Sequence, residues 1–205
     1  MPLDIGSLSA IIVSALFAYL CGSIPFGLIL TKAKGHGDIR QVGSGNIGAT
    51  NVLRTGDKKL AAATLLCDVL KGLVPVLIAQ RFGPIEAAAA MIGAPLGHMF
   101  PVWLNFKGGK GVATTCGALI AYAWPAALAA FATWLLVAII FRYSSLAALV
   151  ATAMAPVYAW LFGASSGKVL ALVFIALVVI WRHRDNISRL LSGAETKIEL
   201  SRKPR

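Results

Sequence analysis

Three short segments carry the side chains able to do chemistry. The first, GSGNIGATNVLR at residues 43–54, sets Gly43, Gly45 and Gly48 in a G-x-G-x-x-G spacing among Ser44, Asn46, Thr50 and Asn51, and closes on Arg54. Glycines let a backbone approach a ligand closely, successive amides make an anion-binding concavity, and hydroxyl and carboxamide groups add neutral hydrogen bonds. Arg54 offers a planar charged fork suited to a bidentate phosphate contact; its other reading is a juxtamembrane anchor on lipid phosphate. The second segment, NFKGGKGVATTCG at 105–117, places Lys107, Gly108, Gly109, Lys110 and Gly111 just ahead of an apolar stretch. An ammonium on flexible backbone at a helix amino terminus adds to the positive end of the helix dipole. A basic interfacial anchor is the competing reading. The third segment, RHRDNISRLL from Arg182, spaces His183 and Asn186 three apart, on one face if helical, among arginines that would also suit an interface.

Several chemistries lack their residues. The glycines at 43–48 have no βαβ unit around them, so a dinucleotide-binding loop is rejected. The Lys-Gly segment is not a nucleotide-hydrolysing loop, because Leu104 stands where the first glycine belongs and Gly111 replaces the hydroxyl residue that would hold magnesium. No His is followed five residues later by Asp, and there is no G-x-S-x-G, H-E-x-x-H or metal-ligand cluster. Neither a metal nor a cofactor is expected. Cys21, Cys67 and Cys116 sit singly inside apolar stretches, without the spacing of a disulfide framework or zinc site.

The elements that must position these segments lie in a membrane. The chain has 205 residues, 58% hydrophobic and 13% charged, with a mean hydropathy of +0.79; a soluble domain is excluded. Apolar stretches fall at 9–31, 60–80, 85–104, 112–123, 125–141, 145–162 and 168–181. The reading is an all-α integral membrane protein, a bundle of about seven transmembrane helices. The fourth stretch would reach only about 18 Å of a roughly 30 Å hydrocarbon core, so five spans plus a re-entrant hairpin over 112–141 is the alternative. No ten-residue alternating segments suggest a barrel. Gly22, Ser23, Pro25 and Gly27 interrupt the first stretch and admit a kink. Met1 to Ser9 lacks a basic n-region, so that stretch is expected to be retained.

Charge fixes sidedness. If every stretch crosses, 16 of the 19 Lys and Arg fall on one face, leaving Arg81 and Lys168 opposite and Lys71 within a span. The amino terminus is therefore expected outside, on the periplasmic side, and the carboxyl terminus in the cytoplasm. Residues 1–205 read as a single domain, with 192–205 a frayed cytoplasmic tail. The net charge of +11, gathered at glycine-rich loops, points to anionic headgroups or phosphorylated ligands and not to nucleic acid. Inside the spans, Asp68 and Lys71 can pair three residues apart, as a structural pair or a proton relay, and His98 in GHMFP reads as a packing histidine.

All three polar segments then share the cytoplasmic face. Two anion sites without metal ligands suit transfer of a non-phosphoryl group between two phosphate-bearing substrates. GSIPFG at 22–27, GSGNIGATNVLR at 43–54, DVLKG at 68–72, GHMFPV at 97–102, FKGGKGVAT at 106–114 and RHRDNI at 182–187 together resemble the bacterial acyl-phosphate-dependent glycerol-3-phosphate acyltransferase family. The resemblance implies a seven-helix membrane enzyme of the bacterial inner membrane with a cytoplasmic active site. Its reaction would pass a fatty acyl group from acyl phosphate to the 1-hydroxyl of glycerol 3-phosphate, in phospholipid synthesis. It implies that Ser44, Arg54, Lys110, His183 and Asn186 hold the two phosphates. Gly43, Gly45, Asn46, Thr50, Asn51, Lys107, Gly108, Gly109 and Gly111 are expected to line the substrates. Lys110 is preferred to Lys107 because it opens the next helix, with the 108–111 amides beside the donor phosphate. Direct attack without an acyl-enzyme is expected, with entry from the lipid side. The alternatives are a carrier for phosphorylated metabolites, for which no inverted repeat is visible, and a headgroup-binding scaffold, which leaves the glycines unexplained.

Overall fold

Proline breaks the first apolar stretch where the sequence suggests. α1 (Ile5–Ser23) stops before Ile24 and Pro25, and α2 (Phe26–Ala33) resumes beyond them, since proline offers no N–H to continue the ladder. The computed structural model describes residues 5–198, and these contain helices and no strand. A short helix α3 (Ala49–Val52) lies within the loop that follows. α4 (Lys58–Ala79) starts on Asp57, whose carboxylate accepts the Leu60 N–H at 2.9 Å, an N-cap that satisfies one otherwise orphaned amide. That bond, with the facing His36, holds the Asp57 carboxyl below its ordinary value. α5 (Pro84–Met99) and α6 (Val112–Tyr122) complete the first of two compact units, Met1–Tyr122. The second, Ala123–Arg205, holds α7 (Trp124–Phe141), α8 (Ser144–Leu161), α9 (Ser166–Arg182) and α10 (Arg184–Leu191).

Small residues set the packing in each unit. α1 lies along α5, and α4 packs on α5 and α6. A methyl on Gly22 would run into the Ala94 carbonyl, one on Gly97 into the Tyr19 carbonyl, and one on Gly72 into the Thr114 carbonyl. The helices touch backbone to backbone, as membrane helices do when no water drives them together. In the second unit α8 packs between α7 and α9 through buried Ala126, Ala130, Ala147, Ala151, Ala155 and Ala171. The large side chains face outward: Leu128, Phe131, Leu135, Leu136, Ile139 and Ile140 of α7 are all exposed, as suits contact with lipid.

Among the described residues five spans are long and apolar enough to cross a membrane by themselves: Gly6–Ala33, Lys58–Ala79, Pro84–Leu104, Trp124–Phe141 and Ser144–Leu161. Ser166–Arg182 and Arg184–Leu191, bent by 59°, make a sixth if taken together. The fourth expected stretch is helical but short: the 11 residues of α6 rise only about 16 Å. The tail departs from expectation. Ile198 donates its N–H to the Arg142 carbonyl at 2.6 Å, and the Arg142 guanidinium donates back to the Ile198 carbonyl at 2.9 and 3.2 Å. Residues up to 198 are thus tied to the α7–α8 turn, because Arg142 ends α7 with spare donors; 199–205 lie outside the described residues.

Candidate active site

The loop between α2 and α4 is built from its apolar residues upward. Ile39, Ile47 and Val52 are buried against Leu28 of α2 and Leu60 and Ala61 of α4, which turns the intervening polar residues outward. Asn51 organises them. It is 2% exposed, and its Nδ2 donates to the carbonyls of Ile39, Val42 and Asn46 at 3.0, 2.9 and 2.8 Å. Its Oδ1 accepts the Ser44 N–H at 3.1 Å and the Ser44 hydroxyl at 3.3 Å. Gly43 takes a positive φ of 56°, and a methyl there would press on Asn51 Oδ1 and the Arg54 side chain, so only glycine suits the turn.

This differs from the open concavity of amides expected from the glycine spacing. The Ser44 N–H is bound to Asn51, that of Gly45 to the Val42 carbonyl at 3.0 Å, and that of Gly48 to Asn46 Oδ1 at 3.3 Å. What faces outward is the exposed side chains of Ser44, Thr50 and Arg54, with Asn46 half-buried. The two nearby arginines differ in availability. Arg40 is committed to Asp38 at 2.6 Å, and its bonds hold the Asp38 carboxyl down to about 2. Arg54 lies against Gly43, and no ion pair or hydrogen bond engages its guanidinium among the described residues. A guanidinium left uncommitted is poised for an external anion.

The second loop hangs from the end of α5. Helix ends leave carbonyls unpaired, and here the loop supplies two donors, Gly109 N–H to the His98 carbonyl at 3.0 Å and Gly108 to Met99 at 3.2 Å, while Lys107 to Leu104 and Phe106 to Pro101, both at 3.0 Å, close the turn beyond α5. The Gly108 and Gly109 amides, expected to face a phosphate, thus point back into the fold. Asn105 and Phe106 adopt positive φ of 50° and 61° to make the return. Lys107 is exposed and Lys110 half-buried immediately before α6. Ser44, Arg54, Lys107 and Lys110 all belong to the first unit.

His183 and Asn186 belong to the second unit. His183 is the joint between α9 and α10 and not a residue of one continuous helix. It is 2% exposed, and its Nδ1 lies 2.8 Å from the Val179 carbonyl, a contact that places the proton on Nδ1. Asn186 lies in the first turn of α10, 4% exposed. Its Nδ2 donates to Glu195 Oε1 at 2.7 Å, while its Oδ1 is buried with no hydrogen bond among the described residues. Glu195 also accepts from Ser145 Oγ and Arg189 Nε, both at 2.7 Å. Burial pushes the Glu195 carboxyl up, but those three bonds together bring it below its ordinary value. Sequence reading missed Glu195, which sits in a tail of small polar and charged residues with nothing local to mark it. No group of three or more His, Cys, Asp or Glu able to hold a metal occurs among the described residues.

The fold is shared with solved membrane enzymes. The chain superimposes with a TM-score of 0.88 and 42% identity, over 93% of its length and 96% of the other, on the crystal structure of PlsY (YgiH), an integral membrane glycerol 3-phosphate acyltransferase in its glycerol 3-phosphate form. The lysophosphatidic acid form of that enzyme matches with a TM-score of 0.87 and 41% identity. The shared fold is that of an integral membrane acyltransferase. Residues 12–193 match the family model described as glycerol-3-phosphate acyltransferase. Enzymes of that description from Brucella anthropi and Mesorhizobium japonicum are 56% and 58% identical to it, over 94% and 92% of this chain and 96% of each relative. The chain belongs to the glycerol-3-phosphate acyltransferase family.

Proposed function

We propose that this acyltransferase takes its fatty acyl group from acyl phosphate and passes it to the 1-hydroxyl of glycerol 3-phosphate, releasing lysophosphatidic acid and phosphate. The observation that carries the reading is Arg54, an exposed guanidinium without an acidic partner among the described residues, set beside Ser44 on the glycine loop of a chain of this family. An acyl phosphate is already activated. The hydroxyl oxygen attacks the acyl carbonyl carbon, the bond from that carbon to the phosphate oxygen breaks, and the hydroxyl proton passes to a phosphate oxygen. The protein contributes positioning of two mutually repelling anions and stabilisation of the charge that grows on the carbonyl and leaving oxygens.

Ser44 and Arg54 bind the glycerol phosphate, and Lys110 serves the donor phosphate. His183 and Asn186 are assigned to the same reaction by the family resemblance. Gly43, Gly45 and Asn51 act by shaping the first loop, and Lys107, Gly108, Gly109 and Gly111 by shaping and charging the second. The whole chain works as one membrane-embedded domain in the bacterial inner membrane, its basic loops toward the cytoplasm, a sidedness supported by 16 of 19 basic residues falling on one face when all seven apolar stretches are counted as crossings. The acyl chain enters from the lipid.

Purified protein in detergent, given acyl phosphate and glycerol 3-phosphate, tests this: phosphate and acylated product are expected in equal amounts. Acylation from a thioester but not from acyl phosphate would overturn the donor. A trapped acyl-Ser44 adduct would overturn direct attack, and loss of turnover in His183→Gln with substrate binding intact would overturn the phosphate oxygen, in favour of His183, as the proton's acceptor.

A further inference from the structure

The buried ion pair of α4 has a third member, and that member holds the Lys-Gly loop. Asp68 Oδ1 lies 2.7 Å from Lys71 Nζ, and Lys71 also donates to the Ile24 carbonyl at 2.8 Å, at the break between α1 and α2. On its other side the same Oδ1 lies 3.6 Å from His98 Nδ1. Asp68, Lys71 and His98 are 2%, 6% and 4% exposed. The far edge of the imidazole meets the loop: a methyl on Gly109 would land on His98 Nε2 before any other atom. The His98 carbonyl accepts the Gly109 N–H at 3.0 Å, and a methyl on Gly108 would run into that carbonyl. His98 therefore grips the loop by ring and backbone at once, while the carboxylate, 3.6 Å away and beyond hydrogen-bond length, acts on the ring by charge. A carboxylate beside one imidazole nitrogen favours a proton on that nitrogen and the ring face turned toward it.

We infer that Asp68 and His98 are positioning residues for the Lys107–Gly111 loop, with Lys71 holding the carboxylate from behind, and that they set how well the loop fits its phosphate-bearing substrate. The inference rests on the reading above that this loop holds a phosphate. It gives His98 a part beyond packing, and the charged pair a part beyond its own neutralisation. No proton needs to move through the triad.

Steady-state kinetics on the full chain in detergent test it. Gly109→Ala comes first: it is expected to raise KM for one phosphate-bearing substrate with kcat held within about threefold, the pattern of lost binding. If neither KM moves, the loop's role falls and the inference with it. His98→Ala is expected to raise the same KM about tenfold, and the double variant His98→Ala/Gly109→Ala to fall well short of the product of the two effects, because removing the ring makes room for the methyl. An unchanged KM in His98→Ala, or effects that multiply, overturns the inference while the loop's own role stands. Should His98→Ala not fold, Asp68→Asn/Lys71→Met, which removes both buried charges together, decides instead. A KM raised by the same order in a monodisperse protein supports the positioning role, and an unchanged KM overturns it.

Discussion

Replacing Asn51 by alanine should loosen the glycine loop before any substrate arrives. The carboxamide ties Ile39, Val42 and Asn46 to Ser44. Water can replace it at the half-buried or exposed Val42, Asn46 and Ser44, so these bonds cost about 1 kcal/mol each at most. Ile39, 1% exposed, keeps the Val42 N–H on its carbonyl at 3.2 Å, so the loss there is also about 1 kcal/mol. Together these amount to roughly 3 kcal/mol, a little over 100-fold in the population of the ordered loop. The apolar anchors Ile39, Ile47 and Val52 survive the substitution, so part of the order remains and KM for glycerol 3-phosphate should rise about 10- to 100-fold. The companion readout is amide hydrogen exchange in ligand-free protein, where exchange at Ser44 should accelerate because its N–H has lost its acceptor. An Asn51→Ala enzyme with unaltered exchange at Ser44 and KM within about threefold of the parent would refute the view that this side chain shapes the loop.

Three further outcomes are expected. Arg54→Lys keeps the charge but loses the fork, and kcat/KM for glycerol 3-phosphate should fall roughly tenfold or more; equal kinetics would mean that a point charge suffices. Glu195 has its folded-state carboxyl below the ordinary value, so its stabilisation is present above the ordinary glutamate range, near pH 4.3, and lost as pH falls through the lower folded value. The thermal midpoint of the parent should therefore drop over that acid window and that of Glu195→Gln should drop less, with parallel curves counting against the clamp. Gly97→Ala drives a methyl into the Tyr19 carbonyl and should cost about 1–3 kcal/mol by overpacking, seen as a lower midpoint in a detergent thermal-shift assay.

Much of the fold was legible because a bilayer imposes coarse rules. Long apolar runs became helices, Pro25 broke the first, and the stretch at 112–123 was short in sequence and is short in space. The polar segments were legible as types but not as arrangements. G-x-G-x-x-G suggested open amides, whereas Asn51 reaches back 5, 9 and 12 residues to bind carbonyls, a use of the side chain that no spacing rule specifies. Gly108 and Gly109 likewise serve the end of α5, because the unpaired carbonyls of a helix terminus compete for their N–H groups. Glu195 was illegible for a different reason. Its partners Ser145 and Asn186 lie 50 and 9 residues away, and a carboxylate among small polar residues looks like solvated surface until those partners are placed.

The spacing of Asp68 and Lys71 also bears on how α4 enters the bilayer during synthesis. Opposite charges one turn apart can neutralise each other within an isolated helix, so this segment brings its own counter-ion and need not wait for His98, which emerges later from the ribosome. A lone carboxylate at that depth would resist partitioning by about 2.5–3.5 kcal/mol on insertion scales. Reversing the pair, with lysine at 68 and aspartate at 71, would preserve that self-sufficiency for translocation while disrupting the assembled protein, separating the chemistry of insertion from that of the finished bundle.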